Sequence, residues 1–165
     1  MKQLSILAVL AAGLVVGSFV WAADHNHDHA TAWFDVEHCD ICRPLGSDQE
    51  LMMHTKWETH DIKNGMMMIA STTPAMSGKL HDSFKKLHMN AEKVMSGGSE
   101  PHLCGFCQSY GKLLEAGAKE ETVDTAFGNV TLLTAENPQT VKMIHEHAAR
   151  SREETKKMEA AMAGH

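Results

Sequence analysis

The sequence predicts an α+β domain in which an αββα unit occurs twice, the copies sharing one antiparallel sheet packed with helices about a pseudo-twofold axis. Three observations carry that expectation. Two CxxC pairs, Cys39/Cys42 and Cys104/Cys107, repeat at an offset of 65 residues, and Gly46 and Glu50 recur with them as Gly111 and Glu115. Each pair is followed by two strand-like runs around an Asn/Gly turn. After each hairpin, an X-Pro step opens a stretch with apolar residues at helical spacing; here the offset is 64, and Pro74 and His81 recur as Pro138 and His145. The match loses a residue between these blocks. Met66, Met68 and Ile69 then fall on Val130, Leu132 and Leu133.

Taken in order, the chain opens with one lysine and an apolar run from Leu4 to Trp21, and Val20-Trp21-Ala22 supplies a small-residue cleavage pattern. That is the make-up of a secretory signal peptide, residues 1–22, cut after Ala22. An uncleaved N-terminal anchor is the alternative, since the run is long enough to span. Export places the mature chain in the periplasm or outside the cell, with no membrane span left. Residues 23–31 are a flexible tail carrying "DHNHDH", and residues 32–98 and 99–165 are the two units of one domain.

Within the first unit, "AWFDVE" (32–37) reads as a leading strand and "CRPLGSDQELMMH" as a short helix begun by CxxC. "KWETHDIKNGMMMIAST" is a hairpin centred on Asn64-Gly65, residues that tolerate the positive φ of two-residue turns. Thr73-Pro74 caps a longer helix with an apolar stripe of Met76, Leu80, Phe84, Leu87, Ala91 and Val94, ended by Gly97-Gly98. The second unit repeats the order: "CQSYGKLLEAGAK", a hairpin centred on Gly128-Asn129, and a helix from Asn137-Pro138 with Val141, Ile144, Ala148, Thr155 and Met162 as its stripe. One hairpin with two helices is marginal alone, so the copies pack together.

Composition narrows the function. Fifteen Lys and Arg against 21 Asp and Glu leave no basic stripe for a phosphate backbone, which argues against nucleic acid. Twelve His, 12 Met and four Cys, all four in CxxC pairs, are the soft and borderline ligands of copper and zinc. No phosphate loop, HExxH, CxxCH or paired carboxylate signals catalysis.

The CxxC pairs admit three readings. As metal ligands, Cys39, Cys42, Cys104 and Cys107 form one four-sulfur site if the pairs meet, or two S₂N sites if each pair takes its matched histidine, His81 or His145. As redox pairs, they make the chain a periplasmic thiol–disulfide oxidoreductase, and "AWFDVEHCDICRP" does set an apparent strand before CxxC and a helix after it. As inert disulfides, they staple a structural or interaction domain in an oxidising compartment. The matched spacing of Cys42 to His81 and Cys107 to His145 favours metal: a carrier, buffer or sensor of copper, as Cu(I), or zinc, which passes its ion to a periplasmic metal-handling protein. His25, His27 and His29 in the tail add a low-specificity site. His88 and His147 are secondary ligand candidates, and His38 and His102 flank the cysteines. "MMM" (66–68) is core filler, with Met66 and Met68 inward and Met67 outward.

Overall fold

The computed structural model describes residues 32–97 and 100–163. The signal-like segment, its cleavage point and the tail histidines His25, His27 and His29 lie outside the described residues. Along the chain run α1 (Arg43–Gly46), α2 (Gln49–His54), β1 (Lys56–Ile62), β2 (Gly65–Ser71), α3 (Ser77–Met95), α4 (Gly105–Glu115), β3 (Lys119–Thr125), β4 (Gly128–Thr134) and α5 (Pro138–Ala163). The strands form one antiparallel sheet in the order β1-β2-β4-β3. The expected α+β class and a single antiparallel sheet are therefore present among the described residues.

Strand chemistry explains that order. "GMMMIAS" and "GNVTLLT" take the centre, where both neighbours satisfy the backbone, while the charged "KWETHDI" and "KEETVDT" take the edges. Charge on an edge strand discourages pairing with another chain. Direct cross-strand partners share a face, so the pair Met66↔Leu133 sets Met66, Met68, Ala70 and Leu133 on one side. Against Met66 and Leu133 pack Ile144 and Ala148 of α5, and against Ala70 packs Leu80 of α3. Met67 stands on the opposite face beside Leu132, as its alternation with Met66 requires.

The hairpin turns sit earlier than the sequence suggests. Ile62↔Gly65 and Thr125↔Gly128 close two-residue turns at Lys63-Asn64 and Ala126-Phe127. The glycines instead begin the central strands, where backbone meets backbone. A Cβ on Gly65 would lie 1.9 Å from the Leu133 carbonyl oxygen, and one on Gly128 would lie 1.9 Å from that of Ala70.

Two further boundaries move. The helix expected after the first CxxC is divided into α1 and α2, because Asp48 turns extended and accepts the Leu51 N–H to cap a new helix. The helix after the second CxxC, α4, is continuous. Helix α3 starts at Ser77 after a turn at residues 74–76, whereas α5 does start at Pro138, with Asn137 Oδ1 accepting the Gln139 N–H at 2.8 Å. Residues 32–37 form no strand. Ala32 and Trp33 spend their carbonyls on the Gly105 and Phe106 N–H groups, satisfying donors that the first turn of α4 leaves open.

The halves of the chain are tied together by their helices. His145 on α5 places Nε2 3.0 Å from the carbonyls of Ile62 and Gly65 in the first hairpin. His81 on α3 places Nε2 3.0 Å from the Gly128 carbonyl in the second. Arg152 adds a two-pronged pair to Asp61, 3.0 Å at each prong.

Candidate metal centre

The two CxxC loops meet. Each begins with a local turn: the Arg43 N–H donates to the Cys39 carbonyl and the Gln108 N–H to the Cys104 carbonyl, both at 3.0 Å. Asp40, inside the first loop, zips it to the strand of chain entering the second. Its N–H donates to the His102 carbonyl and its Oδ2 accepts the His102 N–H, each at 2.9 Å. Asp35 supports the approach to Cys39, whose N–H donates to the Asp35 carbonyl at 3.0 Å.

These bonds bring Cys39, Cys42, Cys104 and Cys107 into one group with all four sulfurs within 4.8 Å of one another. Across the pairs, Sγ–Sγ distances are 3.2 Å for Cys42–Cys107, 3.7 Å for Cys39–Cys107 and 4.0 Å for Cys42–Cys104. A tetrahedron of sulfurs at a zinc–sulfur distance of about 2.3 Å has edges of about 3.8 Å. The group has the size of a one-ion site. Val36, Ile41, Leu103 and Phe106 wall it in; Cys39, Cys42 and Cys104 are buried, and Cys107 is half-buried.

Crowding also divides the thiols electrostatically. Hydrogen bonds from Cys104, then Cys107 and Cys42, hold Cys39 far below the ordinary thiol range. A hydrogen bond from Cys107 lowers Cys104 to about 7. Cys42 and Cys107, as donors to Cys104 before all else, are pushed up. Four thiolates in an apolar wall repel one another, and a bound cation is what lets all four ionise together.

The other sequence candidates stand elsewhere. His81 and His145 are not in the sulfur group; their imidazoles meet backbone carbonyls of the hairpins, as described above. His147 is 3% exposed, with Nδ1 2.8 Å from Ser109 Oγ and its ring centroid 4.7 Å from Phe106 and 5.2 Å from Trp33. Burial pushes its pKa down to about 4, so it is held neutral. Below the unfolded value of about 6.5 the unfolded chain takes up the proton first, so stability is lost as pH falls from about 6.5 to about 4, by up to roughly 3 kcal/mol. Urea midpoints measured across that range are expected to fall in the parent and to flatten in His147→Phe.

Asp35 and Asp40 organise the loops with little mark in the sequence. An aspartate four residues before Cys39 is the one local signal, typical of a side chain that caps a turn; the partnership of Asp40 with His102 is long-range and leaves no such mark.

No protein-family model, no curated protein and no solved structure matches this chain.

Proposed function

We propose that the chain is an exported zinc-binding protein, a carrier or buffer whose four cysteines hold one ion where the two copies of a duplicated unit meet. The single observation that carries this is the group of four cysteine sulfurs within 4.8 Å. Four-sulfur tetrahedral surroundings suit zinc better than Cu(I), and a closed shell leaves no coordination position for catalysis. Half-exposed Cys107 is the thiol from which ligand exchange starts. The apolar N-terminal run and "DHNHDH" support export and a collecting arm outside the folded domain.

Several features support duplication about a pseudo-twofold. The β1–β2 pair Lys56↔Ser71 becomes the β3–β4 pair Lys119↔Thr134, a displacement of 63 residues at both partners. Between β2 and β4, Gly65↔Thr134 is mirrored by Ser71↔Gly128. His81 meets the Gly128 carbonyl as His145 meets that of Gly65. On this register Met66 is equivalent to Asn129, not to Val130, because the α1–α2 break gives the first copy two extra residues between CxxC and its hairpin.

The 3.2 Å approach of Cys42 to Cys107 favours one second reading, a disulfide staple formed between the copies by oxidation. Elemental analysis of protein purified under reducing conditions tests the choice. One zinc per chain is expected, with loading that weakens as pH falls, because binding must displace thiol protons. His81→Ala and His145→Ala are expected to keep that stoichiometry while lowering stability by about 1–2 kcal/mol through lost hydrogen bonds. Metal-free reduced protein, or loss of zinc in either histidine variant, contradicts the proposal.

A further inference from the structure

We propose that two matching clefts, one beside each CxxC loop, dock acidic segments of a partner protein. The larger, of about 650 Å³, lies between the first loop with α1 and helix α3, and Asp40, Arg43, Lys86, Asn90 and Lys93 line it. The smaller, of about 290 Å³, lies between α4 and α5, with Trp33, Lys112 and Arg150 in its wall. The two linings correspond in sequence. At the 65-residue offset of the CxxC pairs, Asp40, Arg43, Pro44 and Ser47 fall on Gly105, Gln108, Ser109 and Lys112. At the 64-residue offset of the long helices, Lys86 falls on Arg150.

Charge recurs where residue identity does not. Arg43 is replaced by Gln108, but Ser47, four residues on, is replaced by Lys112, so each helix after CxxC still offers its cleft one cation. Three cations against one carboxylate leave the first lining at +2, and two cations against none leave the second at +2, on a chain of net charge −6. The one carboxylate is already engaged: Asp40 Oδ1 accepts from Arg43 at 2.7 Å and Oδ2 from the His102 N–H. Lys86, Lys93, Lys112 and Arg150 form no ion pair among the described residues. Arg150 is held instead 4.5 Å over the Trp33 ring, which positions its guanidinium. Lys86, Asn90 and Lys93 stand at i, i+4 and i+7 on one face of α3, which sets the two lysines about 10 Å apart along the axis. Asn90 Nδ2 donates to the Asp40 carbonyl at 3.0 Å and fixes that face against the loop. A single phosphate is too short to meet cations so spaced. An extended segment with carboxylates on alternate residues, about 7 Å apart, meets several, and Pro44, Val94 and Pro101 give its backbone apolar contact. Cations gathered in a cleft steer an acidic partner in and turn basic ones away. Docking here does not depend on the ion held by the sulfurs.

The test uses the reduced, mature chain and a dye-labelled heptapeptide of alternating glutamate and alanine, followed by fluorescence anisotropy and by amide NMR. Two equivalents are expected to bind, one moving the signals of Lys86, Asn90 and Lys93, the other those of Ser109 and Lys112. Salt at roughly 0.3 M is expected to weaken both several-fold, because it screens charges beyond about 6 Å. Lys86→Glu with Lys93→Glu is expected to weaken the first equivalent about tenfold or more, and Lys112→Glu with Arg150→Glu the second. Lys56→Glu with Lys156→Glu changes the net charge equally at exposed positions outside both clefts, and is expected to keep both equivalents. Equal weakening in that last pair, survival of both equivalents in the cleft variants, or no binding of the peptide overturns the proposal. Citrate bound in the clefts with no peptide bound would assign them to small anions and overturn it as well.

Discussion

Cys104→Ser is expected to weaken zinc binding about a hundredfold and to lower the thermal midpoint of the protein as purified. Cys104 is fully buried and lies at the N-cap of α4, where the helix start favours a thiolate. Its hydroxyl replacement is a poor zinc ligand and leaves the remaining sulfurs around an incomplete shell. Structural zinc sites have apparent binding free energies of roughly 10–16 kcal/mol, so a quarter share is about 3 kcal/mol, or a hundredfold in affinity. The effect extends beyond the ion, because the centre joins the loop before α1 to the loop before α4. Competition with a chromophoric chelator measures the affinity, and differential scanning calorimetry with and without chelator measures the midpoint. In the parent, chelation is expected to lower the midpoint; in Cys104→Ser it is expected to lower it by less. An unchanged affinity contradicts the assignment of Cys104 as a ligand.

The second large effect lies in the sheet, well separated in kind from the metal. Gly128→Ala is expected to destabilise the fold by roughly 3 kcal/mol or more, since its methyl group would overlap the Ala70 carbonyl and overpacking alone costs about 1–3 kcal/mol. The backbone adds to this, with φ at 154°. Gly65→Ala meets the Leu133 carbonyl in the same way and is expected to behave alike. Gly111→Ala is the contrast. A Cβ there meets nothing within 4 Å, and inside α4 the change is expected to stabilise by about 0.5–1 kcal/mol. Urea unfolding of the three variants checks the order, and equal effects at 111 and 128 would remove the close-approach account of the central strands.

Local chemistry made much of this fold legible. The hairpins were visible in "NG" and "GN", and α5 was visible in Asn137-Pro138 followed by its apolar stripe. What failed was decided at long range. Gly65 and Gly128 read as turn residues, yet they serve the close pairing of β2 with β4, segments 63 residues apart. Residues 32–37 have strand-like composition, but α4 needed their carbonyls. For the site, the two CxxC pairs were unmistakable, while their meeting depended on Asp40 reaching His102 across 62 residues. The matched imidazoles of His81 and His145 were found by their spacing. Spacing reports that two residues recur in the sequence; it does not report whether sulfur or a carbonyl faces them, and here carbonyls do.

X-ray absorption at the zinc edge of the reduced, mature protein carrying one equivalent of zinc tests the central claim most directly. The account predicts a single shell of four sulfurs at about 2.3 Å and no imidazole scattering. A shell containing nitrogen or oxygen, or a chain that carries no metal while its cysteines are reduced, would contradict it.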